Sequence, residues 1–223
     1  MLRRNYLNQW NFFKRQLLRT FVILLLLSIF MGYLSYDYSM DHPDKAKTRI
    51  HSMYKKFEKS GLTTDHNFKA LIEIFCSNLI FCLRSIVAGF IPFLFLSVSG
   101  VLAFCMPIGV LLAVAKLYTN LDQFSLLASL WPHGIFESMA VLYASSAGVY
   151  LTIQTSKMIL PKFRSKAVPF KTLCKQAACS FILVVVPLLI VAAFIEVFIT
   201  PEPVWPLNEV AIVNGTVLFT FST

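Results

Sequence analysis

Charge is scarce in this chain. Aspartate, glutamate, lysine and arginine together make up only 14% of its 223 residues, whereas 57% are hydrophobic and the mean hydropathy is +0.69. That balance leaves too little polar surface to cover a soluble globule and suits a stack of membrane-spanning helices. Cysteine is also sparse: Cys76, Cys82, Cys105, Cys174 and Cys179 form an odd set in or beside apolar runs, with no Cys-x-x-Cys. No disulfide framework is evident, and each thiol is expected to act as a small hydrophobe. No glycine-rich phosphate loop and no His-Glu-x-x-His occurs, which argues against nucleotide hydrolysis and against the common zinc-protease signature. The net charge of +9 would suggest nucleic acid in a soluble protein, but the basic residues fall mainly between apolar runs, where they orient the chain in a bilayer. No nucleic-acid partner follows.

What is present divides the chain into five stretches. Residues 1–16 carry Arg3, Arg4, Lys14 and Arg15 among Tyr6, Trp10, Phe12 and Phe13, a basic amphipathic segment expected to lie against cytoplasmic headgroups. Residues 17–36 are long enough for a first anchor and lack a small-x-small cleavage site. Residues 37–70 mix five acids with seven lysines and arginines; Ile50, Met53, Tyr54 and Phe57 at helical spacing predict an amphipathic surface helix ended by Gly61, and Thr63, Thr64 or Asp65 suits the cap of the next helix. Residues 71–201 hold the membrane core. Within it Leu71–Lys116 is too long for one span and should turn near Pro92–Gly100, residues 132–160 make a fourth span opened by Pro132, and about Cys179–Thr200 make a fifth, stopped by Pro201 and Pro203. The tail, 202–223, contains an apolar run too short to span and is expected to be interfacial or re-entrant. The fold class is thus an all-α transmembrane bundle of about five spans.

Lys157, Lys162, Arg164, Lys166, Lys171 and Lys175 join spans four and five without an acid, so that connection and the N-terminus should be cytoplasmic. With this topology Glu137, five residues after Pro132, and Glu196, five before Pro201, sit at one level, about 7–8 Å inside the outer helix ends. His133 shares the helix face of Glu137, and Ala140, Ala144 and Gly148 continue that face with residues small enough for close helix contact, as Gly134 does beside it. Ionisable groups at membrane depth are costly, so they pair with one another, with an ion or with a substrate. His133, Glu137 and Glu196 are accordingly the candidate catalytic set, and also the candidate ligands of one zinc-like divalent ion with an open position. The plainer alternative is a buried hydrogen bond that sets the packing of spans four and five. Asn78, about 12 Å along the second span, suits an interhelical hydrogen bond close to that site, and Arg84, about 21 Å along, suits snorkelling to the inner interface. His42, His51 and His66 read as solvated loop residues.

Pro132-His133-Gly134-Ile135-Phe136-Glu137, the small stretch Ala144-Ser145-Ser146-Ala147-Gly148 and Ala192-Ala193-Phe194-Ile195-Glu196 through Pro201 resemble the stage II sporulation protein M family of bacterial membrane proteins, over about residues 70–201. Asn78 and Gly89 are similar to the family's early asparagine and its following glycine, whereas Ser99-Gly100 stands where many members have Asn-Gly. The resemblance implies a bacterial cell membrane and an outward-facing role, either as a scaffold for cell-wall hydrolases or as a component of circular bacteriocin production. Three classes follow: a scaffold or maturation component, a membrane-embedded hydrolase or peptide maturase with or without metal, and a peptide transport or immunity component. Their partners are the lipid bilayer, other membrane proteins, an extracytoplasmic peptide or hydrolase, and a second copy of the chain.

Overall fold

The computed structural model describes residues 2–59, 68–118, 123–199, 210–213 and 216–219. Gly61, Thr63, Thr64, Asp65, His66, Pro201 and Pro203, which carried several of the expectations above, lie outside them. In hydrocarbon every backbone N–H and C=O must find its partner within the segment, which makes the apolar runs helical. Helix α1 (Leu2–Phe12), a π-helical turn (Phe13–Leu17) and α2 (Leu18–Asp41) form one long rod. His42 (φ −128°, ψ 67°) breaks it, and Pro43 opens α3 (Pro43–Lys59). Then come α4 (Phe68–Ala88), α5 (Ser97–Tyr118), α6 (Gln123–Ile159), a 3-10 turn (Pro161–Lys166), α7 (Phe170–Ser180), a second π-helical turn (Phe181–Val185) and α8 (Val186–Phe198). The second π turn precedes Pro187, whose ring would press on the Leu183 carbonyl in a regular helix. In the tail, β1 (Val210–Val213) pairs antiparallel with β2 (Thr216–Phe219).

Among the described residues, four helical stretches are long and apolar enough to cross a membrane: Arg4–Asp41, Phe68–Ala88, Ser97–Tyr118 and Phe170–Phe198. The 37-residue α6 is longer than three of them but less apolar, and it packs against α2, α4, α5 and α8. That position explains its composition. Ser145, Ser146 and Thr152 are fully buried within the bundle, so α6 meets protein rather than lipid over most of its surface.

Three alignments set the directions of the helices. Asn78 meets Glu137 and Gly89 meets Gly148, an offset of 59 residues in both pairs (137 − 78 and 148 − 89), so α4 and α6 run parallel. Gly32 lies against the Cys105 carbonyl and the Tyr36 backbone against Gly109, an offset of 73 residues in both pairs (105 − 32 and 109 − 36), so α2 and α5 also run parallel, with Ser35 Oγ donating to Met106 O over 2.9 Å between them. Tyr150 reaches Gln176 while Glu137 faces Glu196, so the α7–α8 rod runs against α6. Consecutive long helices therefore alternate in direction, as expected for a chain that passes back and forth.

The crossings depend on missing side chains. A Cβ on Gly89 would come under 3.0 Å from the Gly148 backbone, and one on Gly148 under 3.0 Å from the Ser85 carbonyl and Ser97. Hydroxyls bridge the same junction: Ser97 Oγ donates to Ser85 O (2.6 Å) and Thr152 Oγ1 to Gly89 O (3.1 Å). The α4–α5 turn spans 89–96, so Gly100, expected in the turn, lies inside α5. Phe93 and Phe95 take left-handed φ values of 66° and 45°, and the Phe93 N–H donates to Ser156 Oγ at the far end of α6.

Both segments expected at the membrane surface also pack on the bundle. In the N-terminal segment Gln9 and Leu17 are buried, and Phe12 and Phe13 pack on Tyr150 and Tyr143 of α6. Helix α3 likewise folds back on the bundle, burying Ala46 and Ile50 against Val110, Val114 and Leu126. Both segments carry enough apolar surface on one face to gain more from a protein groove than from water.

Candidate functional site

The site forms where α4, α6 and α8 meet. Small residues permit it: Ala140 and Ala144 on α6 and Ala192 and Ala193 on α8 are buried at 0%, 0%, 0% and 1% exposure, so the backbones approach closely and their polar side chains share one layer. In that layer the Asn78 amide of α4 donates a hydrogen bond to Glu137 Oε1 of α6. Glu196 of α8 lies within electrostatic reach of Glu137, and so does Cys82, the fully buried thiol one turn beyond Asn78 on α4. Both carboxylates are half-buried.

The junction takes in α4 as a third helix, which spacing between spans four and five did not require. The depth is different. Helix α6 begins at Gln123 and runs through Pro132, so Glu137 lies 14 residues (137 − 123), or about 21 Å, along it rather than one turn and a half from its end. Pro132 is tolerated inside a helix packed on its neighbours. His133 is half-buried and stands one turn, about 6 Å along the axis, before Glu137. Among the described residues no group of three or more His, Cys, Asp or Glu side chains is arranged to hold a metal ion, the set of His133, Glu137 and Glu196 included.

The two glycines of the α6 face divide. A Cβ on Gly134 would meet nothing within 4 Å, so no close helix approach occurs there, whereas Gly148 is wedged against Ser85 and Ser97. Ser138, next to Glu137, turns its hydroxyl back to the Gly134 carbonyl (2.6 Å). Glu73, nearer the start of α4, pairs with Lys69 at 3.8 Å. Arg84 is exposed four residues from the end of α4, consistent with a charge carried out to an interface. His42 stacks on Tyr38 with centroids 4.3 Å apart, and all five cysteines are free.

Cys82 and the serine cluster of Ser85, Ser97 and Ser145 leave no signature in the sequence pattern. Chemically, the junction can accept and donate hydrogen bonds in a layer that is not fully solvated.

An uncharacterized protein of Methanocaldococcus jannaschii is 30% identical over 138 residues, covering 56% of this chain and 74% of that protein. No solved structure matches the chain. The family description of stage II sporulation protein M matches residues 21–201, from the first apolar run through the α8 carboxylate. A membrane bundle whose matched stretch takes in Asn78, Glu137 and Glu196 together identifies the chain as a member of the stage II sporulation protein M family.

Proposed function

We propose that this protein is a multi-pass component of a bacterial cell membrane that serves as a scaffold or maturation component for an extracytoplasmic process, cell-wall remodelling or bacteriocin production. The observation that carries the reading is the Asn78–Glu137 hydrogen bond at the α4–α6–α8 junction. A carboxylate held by an amide donor between three close-packed helices is suited to fixing helix positions, because a buried polar contact has few alternative partners in hydrocarbon. Exposed apolar side chains on the outer helices, such as Ile29, Phe30 and Ile190, would give partner membrane proteins a surface to pack on. Membership of the family supports the outward-facing role.

Catalysis by Glu137 and Glu196, as a hydrolase or peptide maturase, makes the opposite demand on the same residue. The deciding experiment is complementation of a deletion strain with Glu137→Gln, whose side chain still bonds to Asn78 but cannot act as acid or base. A scaffold restores the wild-type surface phenotype at equal protein level. Failure to restore it with undiminished level and thermal stability would assign the carboxylate a chemical role. Elemental analysis of the purified wild type against His133→Ala completes the comparison: a stoichiometric divalent ion lost in the variant would favour the metal-dependent hydrolase.

A further inference from the structure

A second feature lies at the opposite end of the bundle from α3. The N-terminal helix, α6 and α8 leave between them an open cavity of about 600 Å³ lined by Leu7, Trp10, Phe13, Met139, Val184 and Leu188, among others. Gln9 also borders it, but its carbonyl oxygen accepts from Ser180 Oγ (3.3 Å) and, over a longer 3.5 Å, from Tyr143 OH. The wall is thus almost wholly apolar. Its rim carries a cation: Lys14 Nζ sits 4.8 Å from the centroid of the Trp10 ring. No acid occurs from Leu2 to Tyr36, nor from Ser138 to Ile195, the stretch that includes Lys171 and Lys175 at the start of α7.

We propose that this groove binds one anionic glycerophospholipid, with an acyl chain between the N-terminal helix and α6/α8 and the phosphate at Lys14. Charge complementarity selects the occupant, since basic residues near a membrane surface attract anionic headgroups, at about 1 kcal/mol each. An open, almost wholly apolar space of this size suits a flexible hydrocarbon chain, which can thread along it. Val22, on the N-terminal rod, and Ile182 and Ile190, on the α7–α8 rod, are exposed apolar residues that would face lipid. A bound lipid would tie the N-terminal rod to the core through both its tail and its charge. This holds whether or not the Glu137 junction proves to be structural.

Native mass spectrometry of the full chain, released from detergent and titrated with phosphatidylglycerol or phosphatidylcholine of identical acyl chains, tests the proposal. One phosphatidylglycerol should be retained per chain in preference to phosphatidylcholine. Lys14→Gln should weaken phosphatidylglycerol by about fivefold and leave phosphatidylcholine unchanged, the fold-change that corresponds to one interfacial cation. Met139→Trp, which fills the groove from a half-exposed position, should remove retention of both lipids. Ile29→Trp, placed in the separate cavity between α2, α5 and α6, should leave the wild-type pattern and serves as the folding control. Equal retention of the two lipids, or retention undiminished by Met139→Trp, would overturn the proposal. So would a dimer abolished by Met139→Trp, which would make a second copy the occupant.

Discussion

At the scale of single residues, the Asn78–Glu137 pair concentrates the physical problem of the molecule. A half-buried carboxylate that loses its donor keeps its desolvation cost and gains nothing in exchange. Asn78→Ala is therefore expected to destabilise the protein by about 1–3 kcal/mol, read as a lowered Tm in detergent. Combining it with Glu137→Leu, which removes the orphaned acceptor and fills its place with hydrocarbon, should recover part of that loss. A double variant that melts lower than Asn78→Ala alone would show that the contact is not the reason for the cost. Desolvation also explains why Glu137 was visible in the sequence and Cys82 was not. A carboxylate inside an apolar run violates the medium around it, whereas a buried thiol fits that medium and leaves no mark.

At the scale of elements, the crossing of α4 and α6 rests on two facing glycines, Gly89 and Gly148. A methyl group at Gly148 has nowhere to go, because the opposing atoms are backbone and a bridged serine rather than a flexible side-chain tip. Gly148→Ala should cost about 1–3 kcal/mol through overpacking. Gly134→Ala, on the same helix with open space around it, should be neutral or stabilise by up to about 1 kcal/mol through helix propensity. Thermal melts of the two variants side by side check the contrast; similar losses in both would mean that the helix, and not the crossing, demands glycine. Spacing alone put both glycines on or beside one small-residue face. Only the packed neighbours distinguish them.

At the scale of the whole molecule, the alternating helix directions place the α1 segment, the α4–α5 turn and residues 160–169 at one end and α3 at the other. The basic charge gathered at the first end predicts that it faces the cytoplasm. Single cysteines introduced at Ser165 and at Ser52, in a background without native cysteines, test this in spheroplasts: a membrane-impermeant maleimide should label position 52 from outside and position 165 only after permeabilisation. Labelling of both positions from one side would contradict the arrangement of the bundle, and the reverse pattern would invert it in the membrane. Four apolar stretches qualify as spans by composition, and α6 does not, because its neighbours shield its hydroxyls from lipid. Hydropathy underrates such a central helix for that reason.

Hydrophobic runs, their lengths and the few charges within them determined that this protein is an all-helical membrane bundle, and they marked Glu137 and Glu196 as the residues out of place. These are local properties: each apolar run needs only its own hydrogen bonds to become a helix in lipid. Tertiary structure decided the rest. It extended α6 back to Gln123, drew the N-terminal helix and α3 onto the bundle, and made Asn78 the partner of Glu137, because each of those outcomes depends on which surfaces meet across 59 or more residues of intervening chain.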